Sequence, residues 1–285
     1  MSGAVAGALR AASCEYSELH LRQLDFDTSA LNSVDFKQVY AHILTDSNWQ
    51  TLNIKGSAFY QAAVVPVQLQ EEQAQQEVQQ KAQQQSSTGS KISSSALQTG
   101  SVIITGGLGS IGLLTAAVLP KLGVRHIILT GRQAPDAAKV AEIKQRIAGQ
   151  AKVHFIKADI SRASEAEKLV EATAKIAPPI GLIHAAGVLA DQSLLNLDEA
   201  KLEQVLAPKV SGIQHLTQAL EKFNLSFFVY YSSLAAHFGF AGQFAYASAN
   251  AYMDAWAEQQ SKKGNGLWVW LGGLGQVVAW PPNTK

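Results

Sequence analysis

From residue 101 onward the sequence repeats a single pattern, a short apolar run rich in β-formers followed by a stretch with helical spacing. The runs fall at 101–105, 126–130, 153–157, 180–184, 226–231 and 267–271, and the helical stretches near 110–122, 136–148, 163–176, 198–222 and 243–263. Apolar strands alternating with helices predict an α/β fold, a doubly wound parallel sheet of the Rossmann type covered by helices on both faces. Ligands in such sheets bind beyond the carboxyl ends of the strands. A glycine loop, Asp159, the His184-Ala185-Ala186-Gly187 run and Ser233 all fall at or just after predicted strand ends.

The loop directly follows the first run and opens a helical stretch. It reads Thr105-Gly106-Gly107-Leu108-Gly109-Ser110-Ile111-Gly112, with G-x-G-x-x-G at Gly107, Gly109 and Gly112. Glycines there permit a tight turn and close backbone approach, so that a helix N-terminus faces a pyrophosphate. An NAD site usually carries an acid about 20 residues beyond the motif. This chain has Arg132 at the end of the second run. A guanidinium suits a 2′-phosphate, so the expected cofactor is NADPH. Asp159 is placed to accept from an adenine amine or to cap the helix after it, and the two roles are compatible. With the seven loop residues Thr105, Gly107, Leu108, Gly109, Ser110, Ile111 and Gly112, the candidate cofactor contacts are Arg132, Asp159, Ile160, Ala185, Ala186 and Gly187.

Bulk properties exclude several classes. The formal net charge is +1, which gives no basis for binding nucleic acid or an anionic membrane surface. No apolar run reaches the ~20 residues of a membrane span. The start, Met1-Ser2-Gly3-Ala4, lacks the pattern of a signal peptide. The single cysteine, Cys14, rules out an internal disulfide and suits a reducing compartment, so a cytoplasmic protein is expected. The histidines show no metal-ligand spacing, and no metal is expected.

The remainder of the chain divides by composition. Residues 68–85 are rich in Gln and Glu and run into a Ser/Thr/Gly stretch, which reads as a linker over 68–96. It separates a segment of residues 1–67 from a catalytic body of 97–285. In the first segment a helix is expected near 3–13 and strands near 18–25, 37–43 and 58–65. It has no glycine loop, so a structural role is expected.

Four residues in the body suit carbonyl reduction. A Tyr hydroxyl hands a proton to a carbonyl oxygen when a second hydroxyl orients that carbonyl and a cation lowers the Tyr pKa. Ser233 lies 13 residues before Tyr246, Lys209 lies 37 before it, and Asn250 follows one helical turn later. Ser232 offers a neighbouring hydroxyl, but the spacing favours Ser233. Tyr230, Tyr231 and Tyr252 read as packing residues.

The runs GLIHAAGVLADQSL, Ala207-Pro208-Lys209-Val210-Ser211-Gly212 and YYSSLAAHFGFAGQFAYASANAYMDAWA resemble the ketoreductase domain of modular polyketide synthases. They are also similar to the ketoreductase of the animal type of fatty acid synthase; both belong to the short-chain dehydrogenase/reductase superfamily. The resemblance covers about 97–275. Most of that superfamily carries Y-x-x-x-K, whereas here Tyr246 is followed by Asn250 and the lysine comes from elsewhere, as in these ketoreductases. The resemblance implies Tyr246 as proton donor and Ser233 as holder of the substrate carbonyl. It further implies Lys209 as the cation that lowers the Tyr pKa and binds the nicotinamide ribose, and Asn250 as part of a proton relay. It also implies a β-ketoacyl thioester substrate in polyketide or fatty acid synthesis, with an acyl carrier protein and other synthase domains as partners.

Three departures stand beside it. Where one stereochemical class has L-D-D this chain has Leu189-Ala190-Asp191, and Phe238 stands where the other class has Trp; the balance leans to the Asp-marked class. The family continues past its sixth strand into a lid, a helix and a last strand, so a truncated C-terminus is expected, and 1–67 matches only the last part of the preceding structural subdomain. These departures keep two alternatives open: a catalytically impaired scaffold fragment of a megasynthase, and a free-standing reductase of small ketones.

Overall fold

The computed structural model describes residues 2–26, 32–45, 51–55, 58–61, 93–147, 149–262, 267–272 and 276–279. Two compact units emerge, Arg22–Ser93 and a larger one that joins Met1–Leu21 to Ser94–Lys285. The division therefore differs from the one expected at 1–67 and 97–285. The first helix, α1 (Ser2–Glu15), belongs to the body. Most of the 68–96 linker lies outside the described residues.

The small unit holds β1 (Gln23–Phe26), α2 (Phe36–Thr45), β2 (Thr51–Lys55) and β3 (Ala58–Gln61), with sheet order β1-β2-β3. Residues 37–43 were expected as a strand and are helical instead. Phe36, Val39, Tyr40, Ile43 and Leu44 recur at helical spacing, which outweighs the β-propensity of Val, Tyr and Ile. The Asp35 carboxylate accepts from the Lys37 N–H at 2.9 Å and the Gln38 N–H at 3.3 Å, starting the helix. Val39 then packs with Leu52 and Ile54 in the core of the unit.

In the body, α3 (Ser94–Thr99) leads into β4 (Ser101–Thr105), followed by α4 (Ser110–Val118), β5 (His126–Gly131), α5 (Ala137–Ile147), β6 (Lys152–Lys157), α6 (Ala163–Ile176) and β7 (Pro179–His184). Then come α7 (Glu199–Lys209), α8 (Ser211–Leu220), β8 (Phe227–Tyr231), α9 (Ala235–Phe238), α10 (Phe244–Lys262), β9 (Leu267–Gly272) and β10 (Gln276–Ala279). The sheet order is β10-β9-β8-β7-β4-β5-β6, parallel except for the β9–β10 pair. All six runs anticipated from the sequence are strands, and the fold is the doubly wound α/β sheet expected. All of β4 and β7 is buried, since strands with helices on both faces have no solvent side. Ile103, Leu182, Leu169, Ile213 and Leu216 fill one side of the core, each worth about 1.5–3 kcal/mol on burial.

The body differs from expectation in the short helices α3 and α9, in one broken helix and in an added strand. The single helix foreseen over 198–222 is broken at Val210, with φ −99° and ψ −70°. Pro208 lies inside the first of the two helices and strains only the turn before it, so it does not account for the break. The seventh strand, β10, was not foreseen. The chain runs outward from β4 to β6, then crosses to β7 and outward again. That reversal opens a crevice between β4 and β7 at their carboxyl ends.

Candidate active site

The glycine loop caps β4. Gly106 has φ +63°, and a Cβ there would sit 2.8 Å from the Ala185 carbonyl oxygen. No other residue tolerates both constraints. Gly107 donates its N–H to the Thr130 carbonyl at 3.1 Å and lies against Leu129. Gly112 abuts the Gly106 carbonyl, so α4 starts hard against the loop. Gly109 precedes α4 without a side-chain cap, leaving first-turn N–H groups for an anion.

Beside the loop lies a cleft of about 360 Å³ between the ends of β4, β5, β6 and β7. Of the sequence candidates, Thr105, Gly109, Arg132, Asp159, Ile160, Ala185, Ala186 and Gly187 line it. Gly107 and Gly112 instead shape the loop from behind, Leu108 faces a neighbouring depression, and Ile111 is exposed on the outer face of α4. Ser110 does not line the cleft either. Gln204, Ala207 and Pro208 do, which the sequence did not reveal: the end of α7 folds over the cleft, and no local signal encodes that.

Arg132 and Asp159 share this cleft. Burial alone would raise the Asp159 pKa. Hydrogen bonds from the Ser161 hydroxyl at 2.6 Å and N–H at 3.1 Å, with Arg132 and Arg162 nearby, nevertheless hold it below the usual carboxylate range. Asp159 thus closes a local turn at Ser161 rather than capping α6, whose first residue is Ala163.

Thr105 is a junction. Its hydroxyl accepts from the Ala186 N–H at 3.2 Å and lies 2.9 Å from His184 Nδ1. Burial depresses the His184 pKa to about 3, Lys209 adds to the effect, and the Pro208 carbonyl opposes it.

Contacts join three of the four catalytic candidates. Lys209, the last residue of α7, is 4% exposed; its Nζ donates to the Tyr231 carbonyl at 3.0 Å and lies 5.9 Å from the centroid of the Tyr246 ring. Burial lowers its pKa to about 8, with Asp254 acting in the other direction. A Cβ on Gly187 would come within 2.9 Å of Lys209 Cε, so the glycine lets the lysine pass close to the cleft wall. Asn250 is fully buried and donates from Nδ2 to the Tyr246 carbonyl at 2.8 Å, which leaves its Oδ1 without a hydrogen-bond partner. Ser233 sits two residues past the end of β8, and its Oγ accepts the Ala235 N–H at 3.2 Å. Ala235 packs against Tyr246, which brings the Ser233 turn to the same end of α10. The Ser232 hydroxyl oxygen is buried without a partner among the described residues. Tyr230 is fully buried, Tyr231 pairs its hydroxyl with Thr115 at 2.7 Å, and the Tyr252 hydroxyl accepts from Gln214 at 2.5 Å.

Among the described residues no three His, Cys, Asp or Glu gather as metal ligands, and no helix is long and apolar enough to cross a membrane.

Comparison with known proteins agrees with this geometry. The profile of the KR domain family matches residues 100–282. A 6-methylsalicylic acid synthase of Arthrobotrys oligospora is 37% identical over 194 residues, 62% of this chain and 11% of that protein. Polyketide synthase PksN of Bacillus subtilis is 36% identical over 160 residues, 55% of this chain and 3% of that protein. A solved A1-type ketoreductase superposes with a TM-score of 0.75 at 26% identity, covering 96% of this chain and 54% of that one. The chain thus spans about a tenth or less of these relatives and about half of the solved ketoreductase. With the profile spanning well over half of the chain and the fold superposing on solved ketoreductases, the chain belongs to the KR domain family, the ketoreductase domains of polyketide synthases with a short-chain dehydrogenase/reductase-type fold.

Proposed function

We propose that this chain reduces the β-keto group of an acyl thioester to the β-hydroxyl, using NADPH and a substrate carried on an acyl carrier protein within polyketide or fatty acid synthesis. The observation that carries the reading is the continuity of the two sites: Gly187 lines the cleft and touches Lys209, and Lys209 lies behind the Tyr246 ring.

The cleft fits a dinucleotide. Gly106 and Gly112 keep the loop flat, Gly109 opens the helix N-terminus, and Arg132 supplies a cation for a 2′-phosphate. Asp159 and Ile160 border the far side, and Ala185 and Ala186 form the floor. Bound there, NADPH supplies the hydride, as nicotinamide cofactors do.

The chain supplies the rest. Tyr246 gives its phenolic proton to the carbonyl oxygen. Because Ser233 Oγ already accepts the Ala235 N–H, its own proton is left to point at that oxygen and orient it. The Lys209 ammonium favours the phenolate left on Tyr246. The buried Asn250 Oδ1, an acceptor with no donor among the described residues, is suited to hold a water that hands a proton back to Tyr246. Exposed Leu189 and Leu195, between β7 and α7, and Phe238, at the end of α9, offer apolar surface to an acyl chain.

Turnover of a β-ketoacyl group on a purified acyl carrier protein, against the same group on a small thioester and against a simple free ketone, tests this reading. At least about tenfold higher kcat/KM for the carrier-bound form is expected, since remote binding energy is used in the transition state. Equal efficiency with a free ketone points to a free-standing reductase.

A further inference from the structure

The first helix bears on the site from the far end of the sequence. It lies on α10 through small residues: a Cβ at Gly3 would be 2.6 Å from the Ala251 carbonyl, and Gly7 abuts the Ala247 carbonyl. Ala11 packs with Ala235, Ala247 and Tyr246. Arg10 Nη1 donates to the Ala236 carbonyl at 2.6 Å, and Gly239, at φ +67°, rests on the Arg10 backbone.

At the end of α1 the Glu15 carboxylate bridges two loops. Oε2 accepts the Leu194 N–H and Oε1 the Gly242 N–H, each at 2.9 Å. The same loops are tied by the Gln192 N–H to the Gly242 carbonyl at 2.8 Å and by Gln243 Nε2 to Asp191 Oδ2 at 2.9 Å. One loop leaves the cleft at Gly187, and the other leads into the helix that carries Tyr246. Two N–H groups converging on the two oxygens of one carboxylate form charge-assisted bonds, among the stronger kinds in a protein.

We propose that Glu15 is a positioning residue for the substrate side of the site, clamping the 191–194 loop to the 242–243 turn so that the two keep one relative position. The clamp itself follows from the contacts; its role towards substrate rests on the ketoreductase reading.

Glu15→Gln keeps the helix and the length of the side chain but sets an NH₂ against one of the two N–H donors. In the full chain, backbone amide exchange at Leu194 and Gly242 should quicken roughly 10- to 100-fold in Glu15→Gln, while amides of β4 and β7 stay as in the wild type. With a β-ketoacyl thioester, KM should rise about tenfold with kcat changed less, and the diastereomer ratio of the alcohol should fall. NADPH affinity should stay within about twofold, because no Glu15 contact reaches the cleft. Unchanged exchange at Leu194 and Gly242 overturns the clamp. Faster exchange with unaltered KM and product ratio overturns the positioning role, as does NADPH affinity falling in parallel with KM. A wild-type chain that reduces no ketone sinks the ketoreductase reading and the positioning role together, while the exchange data still decide the clamp.

Discussion

Lys209 Nζ lies 5.9 Å from the centroid of the Tyr246 ring and 3.0 Å from the Tyr231 carbonyl, although 37 residues separate Lys209 from Tyr246. Its side chain is tethered at the end of β8 rather than waving from a surface.

That burial sets a pH limit. The ammonium is present below its pKa of about 8 and is lost above it. Carbonyl reduction should fall as pH rises through that value, read in kcat/KM for NADPH, which reports the free enzyme. Lys209→Met should lower the rate about 10²-fold and erase the limb. A limb that persists in the variant at the same pH would assign it to another group.

Arg132 faces the cleft across from Asp159. Arg132→Ala should raise KM for NADPH about 10- to 100-fold, the loss of one charge-assisted contact to phosphate, and leave KM for NADH within about twofold. Initial rates with both cofactors decide it; equal losses with the two would remove Arg132 from phosphate recognition.

Gly106→Ala places a Cβ 2.8 Å from the Ala185 oxygen in a left-handed conformation. The loop and the Ala185–Gly187 run must then separate, and NADPH binding should fall by about 10²-fold or more, at a cost of roughly 1–3 kcal/mol in strain alone. Fluorescence titration with NADPH measures this. Gly131→Ala, whose Cβ meets nothing within 4 Å, serves as the contrast and should fold as the wild type does.

His184 is buried neutral, with its pKa depressed to about 3 from an ordinary 6.5. Below 6.5 the unfolded chain takes up a proton that the folded chain refuses, so stability falls with acid across that interval. The slope from this group is about 1.4 kcal/mol per pH unit. His184→Asn keeps a hydrogen-bonding partner for Thr105 and should recover about 2 kcal/mol of the loss between roughly pH 7 and pH 5, read from urea midpoints. An identical acid loss in the variant would show that other groups govern it.

The strand positions and the glycine loop are legible because their signals are local: apolar runs of strand length, and glycines after the first of them. Helix α2 was misread because Val39, Tyr40 and Ile43 favour strands one by one while their spacing favours a helix. The loop motif singled out Gly107, yet Gly106 carries the positive φ and the closest approach to Ala185. Nothing near Glu15 in the sequence announces partners at Leu194 and Gly242, 179 and 227 residues away. What the break at Val210 achieves is distant: it ends α7 at Lys209, whose ammonium lies by the Tyr246 ring.

The most direct test follows NADPH absorbance with a β-ketoacyl thioester for wild type and Tyr246→Phe, with NADPH binding measured on both. Loss of the proton donor should cut turnover at least about 10²- to 10⁴-fold while NADPH affinity stays within about twofold. Turnover that survives in Tyr246→Phe, or a wild-type chain that neither binds NADPH nor consumes it, would contradict the account.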